Sequence, residues 1–174
     1  EPTTGEVLAI SSFPDFDPNL FVLNSDPETL ASYVAADSNS PLYNRAVQGS
    51  YIPGSTVKPL IAAMALDDGV VDENYEFTGE IIKKQWTPKG YWPYPPITRV
   101  SNYSGPVNMS NAITKSDNIY FADVALKAGW EKLEPFLKMI GFDERIPFDL
   151  RVSKPEYLNS GNYENMQLLA ATGY

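Results

Sequence analysis

Ser55 and Lys58 stand three residues apart in the run Tyr51-Ile52-Pro53-Gly54-Ser55-Thr56-Val57-Lys58-Pro59. On a helix that spacing puts a hydroxyl and an amine on one face, where the two side chains can meet. A serine so placed is a candidate nucleophile for acyl transfer, and a neutral lysine beside it is a candidate base. Elimination supports the pair. The chain has no Cys and no His, which excludes a thiol nucleophile and a Ser-His-Asp triad. A serine nucleophile here must take its base from Lys, a carboxylate or Tyr. The same absences exclude disulfides and a Cys- or His-ligated zinc site. No acidic spacing fits a calcium loop, and no cofactor is expected.

The elements that would position the pair are legible nearby. Pro53-Gly54 marks a turn, and Leu60-Ile61-Ala62-Ala63-Met64-Ala65-Leu66 reads as a buried helix. Ser55 then lies at or near a helix N-terminus, where free N–H groups and the helix dipole stabilise a developing alkoxide. Ser is also a common N-cap, and Ser-x-x-Lys arises roughly once by chance in a chain of this length. A second group, Ser116-Asp117-Asn118, falls in the turn between two predicted helices. These are turn-forming residues in their own right. Ser160-Gly161-Asn162 fits the same letters, but precedes the last predicted helix and reads as turn and cap.

Ser-x-x-Lys followed by Ser-Asp-Asn is the motif pair of penicillin-binding proteins and class A β-lactamases. The run from Asn44 to Pro59 resembles the active-serine region of penicillin-binding protein transpeptidase domains. Thr4-Gly5-Glu6-Val7-Leu8-Ala9-Ile10 and Phe16-Asp17-Pro18-Asn19 resemble the opening strand and following loop of that domain. Asn111-Ala112-Ile113 through Tyr120-Phe121 resembles the helix pair around its second motif, and the flanks of Ser160 do not. The wording around Ser55 is closer to the class B, monofunctional enzymes than to class A. The resemblance implies an α+β fold, here helix-rich with an incomplete antiparallel sheet. It also implies that residues 1–174 are the N-terminal part of one transpeptidase domain, incomplete at both ends.

By the same resemblance Ser55 attacks a D-Ala-D-Ala carbonyl, its N–H is one oxyanion donor, and Lys58 is the base. Ser116 helps pass the proton to the leaving amine. Asn118 binds the substrate's backbone amide and helps position Lys58. Asp117 is expected to point away, with no assigned chemistry. The family's third motif, Lys-Thr/Ser-Gly, is absent. Lys127-Ala128-Gly129 has no hydroxyl, and Thr78-Gly79 and Thr172-Gly173 have no Lys before them. In the family this motif comes after the position of Tyr174, so the chain alone is expected to be inactive.

The implied function is peptidoglycan D,D-transpeptidation in cell-wall synthesis. The partners are stem peptides, β-lactams that acylate Ser55, and other cell-wall synthesis proteins. The implied location is the outer face of the bacterial membrane, with an N-terminal anchoring helix not present in this chain. A serine β-lactamase or β-lactam sensor of the same fold, or a non-catalytic scaffold domain, are the alternatives. Retention of Ser55, Lys58, Ser116 and Asn118 together argues against the scaffold.

Composition agrees with a single globular domain. The 174 residues are 43% hydrophobic and 20% charged, with net charge −9. Acidic balance and only 13 scattered Lys and Arg argue against a nucleic-acid partner. Glu1 to Gly5 reads as a turn and Val7 to Ser12 as a strand, whose unpaired edges invite pairing with another chain. Asp26-Pro27-Glu28 opens a surface helix to Ala36. Val70 to Pro106 cannot be a long helix because Pro breaks it. It reads as a loop packed on the body through its aromatics, with Trp86 and Tyr91 to Tyr94 as candidate groove walls. Helices are expected over Gly105 to Thr114, Asn118 to Ala128 with Gly129 as stop, Trp130 to Ile140 with Gly141 as stop, and Asn162 to Thr172. Pro135 fits only near the first turn of its helix.

Overall fold

A computed structural model describes residues 1–23, 26–34, 41–157, 170 and 173. The predicted last helix and Ser160-Gly161-Asn162 therefore lie outside the described residues, except Ala170, which is helical. The chain divides into two units, Glu1–Tyr51 with Arg145–Pro155, and Ile52–Glu144 with Glu156–Tyr174.

Among the described residues the first unit carries three short helices: α1 (Asn19–Leu23), α2 (Pro27–Val34) and α3 (Arg45–Gln48). Asp26 starts α2 as its sequence predicts, accepting from Thr29 N at 3.1 Å and from Thr29 Oγ1 at 2.6 Å. Those bonds hold the Asp26 carboxyl below the usual carboxylate range. Phe16, Phe21 and Tyr33 pack ring against ring. Ser153 N donates to Val47 O at 2.8 Å, tying the later segment to α3. The Glu1 turn closes with Gly5 N on Glu1 O at 2.9 Å. Val7 to Ser12 is a correction: the segment is in no strand, and Leu8 is 78% exposed. A strand is defined by the ladder it shares, and none of the described residues offers it a neighbour.

The second unit is built on α4 (Lys58–Asp67), entered through a 3₁₀ turn at Gly54–Val57, and on α6 (Asn118–Met139). Between them come the strands β1 (Gln85–Trp86) and β2 (Ile97–Thr98), then α5 (Met109–Lys115). The strands pair antiparallel, Gln85 opposite Thr98 and Trp86 opposite Ile97. The fold among the described residues is thus helix-rich with a two-stranded antiparallel sheet. One face of α4 is buried through Ile61, Met64 and Ala65, while Leu60 and Leu66 are exposed. It packs on Ile119, Tyr120, Phe121 and Val124 of α6, with Leu133 and Leu137 in the same core.

Helix boundaries follow local chemistry. α5 begins at Met109, later than Gly105 or Pro106, because Asn108 Oδ1 caps it by accepting from Asn111 N at 3.0 Å. Val107 is held outside the helix by Phe77 N, which donates to its carbonyl at 2.8 Å. Gly129 interrupts α6 at φ 65°, ψ 173°, so the two helices expected on either side meet at a kink. Pro135 lies beyond the first turn after that kink, on the exposed side of the helix, where a missing N–H costs least.

Tyr120 is a core residue with an unsatisfied polar atom. It is fully buried, and its hydroxyl has no hydrogen-bond partner among the described residues. Burial, with Asp123 and Asp72 nearby, pushes its phenol up to about 12. Tyr120→Phe is therefore expected to stabilise the fold by about 1–2 kcal/mol, the cost of an unpaired buried hydroxyl. The phenol's raised pKa means that wild type loses stability as pH rises from the ordinary value of about 10 through the folded value. The advantage of Phe should grow over that range. Urea midpoints at neutral and alkaline pH measure both, and a Phe variant less stable than wild type would show that the hydroxyl is satisfied.

Candidate active site

The turn between α5 and α6 is specified twice over. Ser116 closes α5 in the left-handed region, φ 52° and ψ 51°, its N–H on Ile113 O at 3.2 Å. Asp117 N donates to Ala112 O at 2.8 Å. Asp117 then opens α6 as its N-cap, Oδ1 accepting from Ile119 N at 2.8 Å and Tyr120 N at 3.4 Å. With one helix ending and the next beginning on adjacent residues, the backbone there has little freedom.

Lys58 runs from the start of α4 to this turn. The residue is 2% exposed, and its Nζ donates to Ser116 O at 2.8 Å, Ser116 Oγ at 3.0 Å and Asn118 Oδ1 at 2.6 Å. An ammonium has three donors, and all three are engaged. The Phe121 ring lies 5.9 Å from Nζ. Burial lowers the Lys58 pKa below the ordinary lysine value, and the charge of Asp117 opposes that shift. The net direction is downward, toward easier loss of the proton.

Ser55 sits within the 3₁₀ turn that feeds α4, and Lys58 N donates to its carbonyl. The sequence places it at a helix N-terminus, and the turn is that terminus. Its side chain is exposed, and no hydrogen bond engages its hydroxyl among the described residues. Asn118 Nδ2 donates to Thr98 O at 3.0 Å, which joins the second motif to β2. Each heteroatom of that amide keeps one further hydrogen-bonding position.

Trp86 is buried and stands edge-on to Phe77 with ring centroids 5.0 Å apart. Tyr94 is half-buried against Trp92 at 5.1 Å. Trp92 Nε1 in turn donates to Pro95 O at 3.1 Å.

Asp117 is expected to point away with no assigned chemistry, and its carboxylate does turn from Lys58, toward Arg99, Tyr103 and the start of α6. It is 1% exposed, and its second oxygen accepts from Arg99 Nη1 at 3.2 Å and Tyr103 Oη at 2.7 Å. The Arg99 guanidinium lies over the Tyr103 ring at 4.7 Å. Burial, then the bond to Asp117, pushes the Tyr103 phenol up. Nothing local in Ile97-Thr98-Arg99-Val100 announced Arg99, because its partner is fixed only by the long-range packing of β2 on α6.

With this geometry in view, the comparisons with known proteins are specific. The penicillin binding protein transpeptidase domain matches residues 1–174, and the chain belongs to that family. Its relatives include class B members. It is 37% identical to penicillin-binding protein 3 of Bacillus subtilis over all of this chain and 25% of that protein. It is 35% identical to the peptidoglycan D,D-transpeptidase MrdA of Acinetobacter baumannii, over 86% of this chain and 22% of that protein. The chain thus spans about a quarter of these relatives. The ceftriaxone acyl-enzyme structure of penicillin-binding protein A from M. tuberculosis superposes with a TM-score of 0.78 at 27% identity. That match covers 99% of this chain and 38% of the other.

Proposed function

We propose that this chain carries the nucleophile and base of a peptidoglycan D,D-transpeptidase that β-lactams acylate. The observation that supports the reading is Lys58 Nζ held on Ser116 and Asn118, which joins the two motifs across the fold. Ser55 Oγ attacks the carbonyl of a terminal D-Ala-D-Ala bond, and its proton passes to Lys58 Nζ. The oxyanion draws on the Ser55 N–H at the positive end of α4. The C–N bond breaks, and D-Ala leaves as the amine after taking a proton by way of Ser116. An amine of a neighbouring stem peptide then attacks the ester, Ser55 regains its proton, and the cross-link forms. Asn118 has capacity left for the substrate amide. With a β-lactam the cleaved amine stays tethered, and the acyl-enzyme persists.

In this reading the working protein acts at the outer face of the bacterial membrane, among other cell-wall synthesis proteins, and its family membership and likeness to a D,D-transpeptidase support that. Among the described residues no helix is long and apolar enough to cross a membrane. No Lys-Thr/Ser-Gly sequence occurs in the 174 residues. Loss of one oxyanion donor costs about 100- to 1000-fold in rate, and these residues alone are therefore inactive in our reading. The exposed segment 7–12 would pair with a further strand, from this protein or another copy.

The test uses fluorescent penicillin and intact mass on this chain and on a form extended through a Lys-Thr/Ser-Gly motif. We expect a single adduct on Ser55 in the extended form and none on the chain alone. Labelling of both would show that the third motif is dispensable for acylation. A folded extended form that takes no label would overturn the enzyme reading in favour of a scaffold. Rapid release of the label would favour a β-lactamase.

A further inference from the structure

Lys58 must be both buried and willing to lose a proton, yet it lies near a buried carboxylate that favours its charged form. The groups that face it come from three places. The α5–α6 turn brings Ser116, Asp117 and Asn118, with Lys115 exposed at the end of α5. α6 brings the Phe121 ring. The segment after β2 brings Arg99 and Tyr103 behind Asp117.

Arg99 is buried beside Asp117, at 9% and 0% side-chain exposure, and Asp117 is its only carboxylate partner among the described residues. Its Nε meets no acceptor there. The guanidinium is therefore committed to one anion, with the Tyr103 ring against its face. In a poorly screened interior such a cation offsets part of the field of its partner.

We propose that Arg99 is a positioning residue for acyl transfer, neutralising Asp117 as seen from Lys58 so that Lys58 can serve as base. The proposal rests on the acyl-transfer reading above for its catalytic meaning, and on the Arg99–Asp117 geometry for its physics. Removing the guanidinium takes a positive charge from the neighbourhood of Lys58 and leaves Asp117 unscreened. Both changes favour the lysine cation. Acylation then needs a higher pH.

The test follows the rate of penicillin acylation against pH in the extended form, with the Lys58 titration read independently from ¹³C-lysine NMR. Arg99→Gln is expected to move both midpoints about one pH unit upward, roughly a tenfold loss of rate below the midpoint. Arg99→Lys, which keeps the charge, should restore most of the shift. Asp117→Asn should move the midpoint down, and it decides the matter if Arg99→Gln does not fold. A lower plateau with unmoved midpoints would mean that Arg99 only supports the fold, and the proposal is then wrong. If wild type takes no label at any pH, the acyl-transfer reading fails. The Lys58 titration still decides whether Arg99 sets its proton affinity.

Discussion

Ser55→Ala leaves the extended protein unlabelled by penicillin while its urea midpoint stays at the wild-type value. The two halves of this expectation have different physical origins. Ser55 is exposed, and its hydroxyl makes no hydrogen bond among the described residues. Its removal therefore costs the fold little, within about 0.5 kcal/mol. The chemistry loses the atom that forms the covalent bond. Removing a serine nucleophile from a working constellation lowers the rate by about 10⁶-fold, which takes labelling to background. Lys58→Ala should also abolish labelling, but with a cost in stability. It leaves Ser116 O, Ser116 Oγ and Asn118 Oδ1 without their shared donor. A variant at Ser55 that still forms the adduct would move the nucleophile elsewhere.

Asp117→Ala should be among the most destabilising substitutions in the second unit, by about 3–5 kcal/mol. The carboxylate meets four groups at once: Arg99, Tyr103 and the N–H groups of Ile119 and Tyr120. Alanine strips the cap from α6, worth about 1 kcal/mol by itself. It also strands the Arg99 cation in the interior, which is the larger cost. Asp117→Asn keeps an oxygen for the cap and should cost less. Denaturant unfolding with matched slopes measures both. An alanine variant within about 1 kcal/mol of wild type, near the scale of ordinary surface changes, would mean the cluster is solvated in solution.

How far the site was readable before folding differs from residue to residue. Ser55 and Lys58 are separated by local spacing, and the Pro53-Gly54 turn and the apolar run after them locate the helix start. Ser116 and Asn118 could be chosen over Ser160-Gly161-Asn162 only because Tyr120-Phe121 follows and matches a family pattern. The meeting of Lys58 with Ser116 and Asn118 joins residues far apart in sequence, and the resemblance implied it where spacing alone could not. Asp117 shows the limit. A turn residue followed by a helix is legible as a cap, but its second oxygen takes partners from the segment after β2. No periodicity carries that information.

The chain by itself determined what is local or excluded by composition. It bars cysteine and histidine chemistry, spaces a hydroxyl and an amine three residues apart at a helix start, and breaks α6 at Gly129, where a positive φ suits a residue without a side chain. It also caps α2 with Asp26. Tertiary structure decided the rest. It paired β1 with β2, turned Trp86 into the core, left Val7 to Ser12 without a strand partner among the described residues, and buried Lys58 beside Asp117 and Arg99. The reason is common to all four. Whether a strand is paired, an aromatic covered or an amine desolvated depends on which distant segment arrives beside it. In the second unit that is set by packing α4 and β2 on α6, after local preferences have already been satisfied.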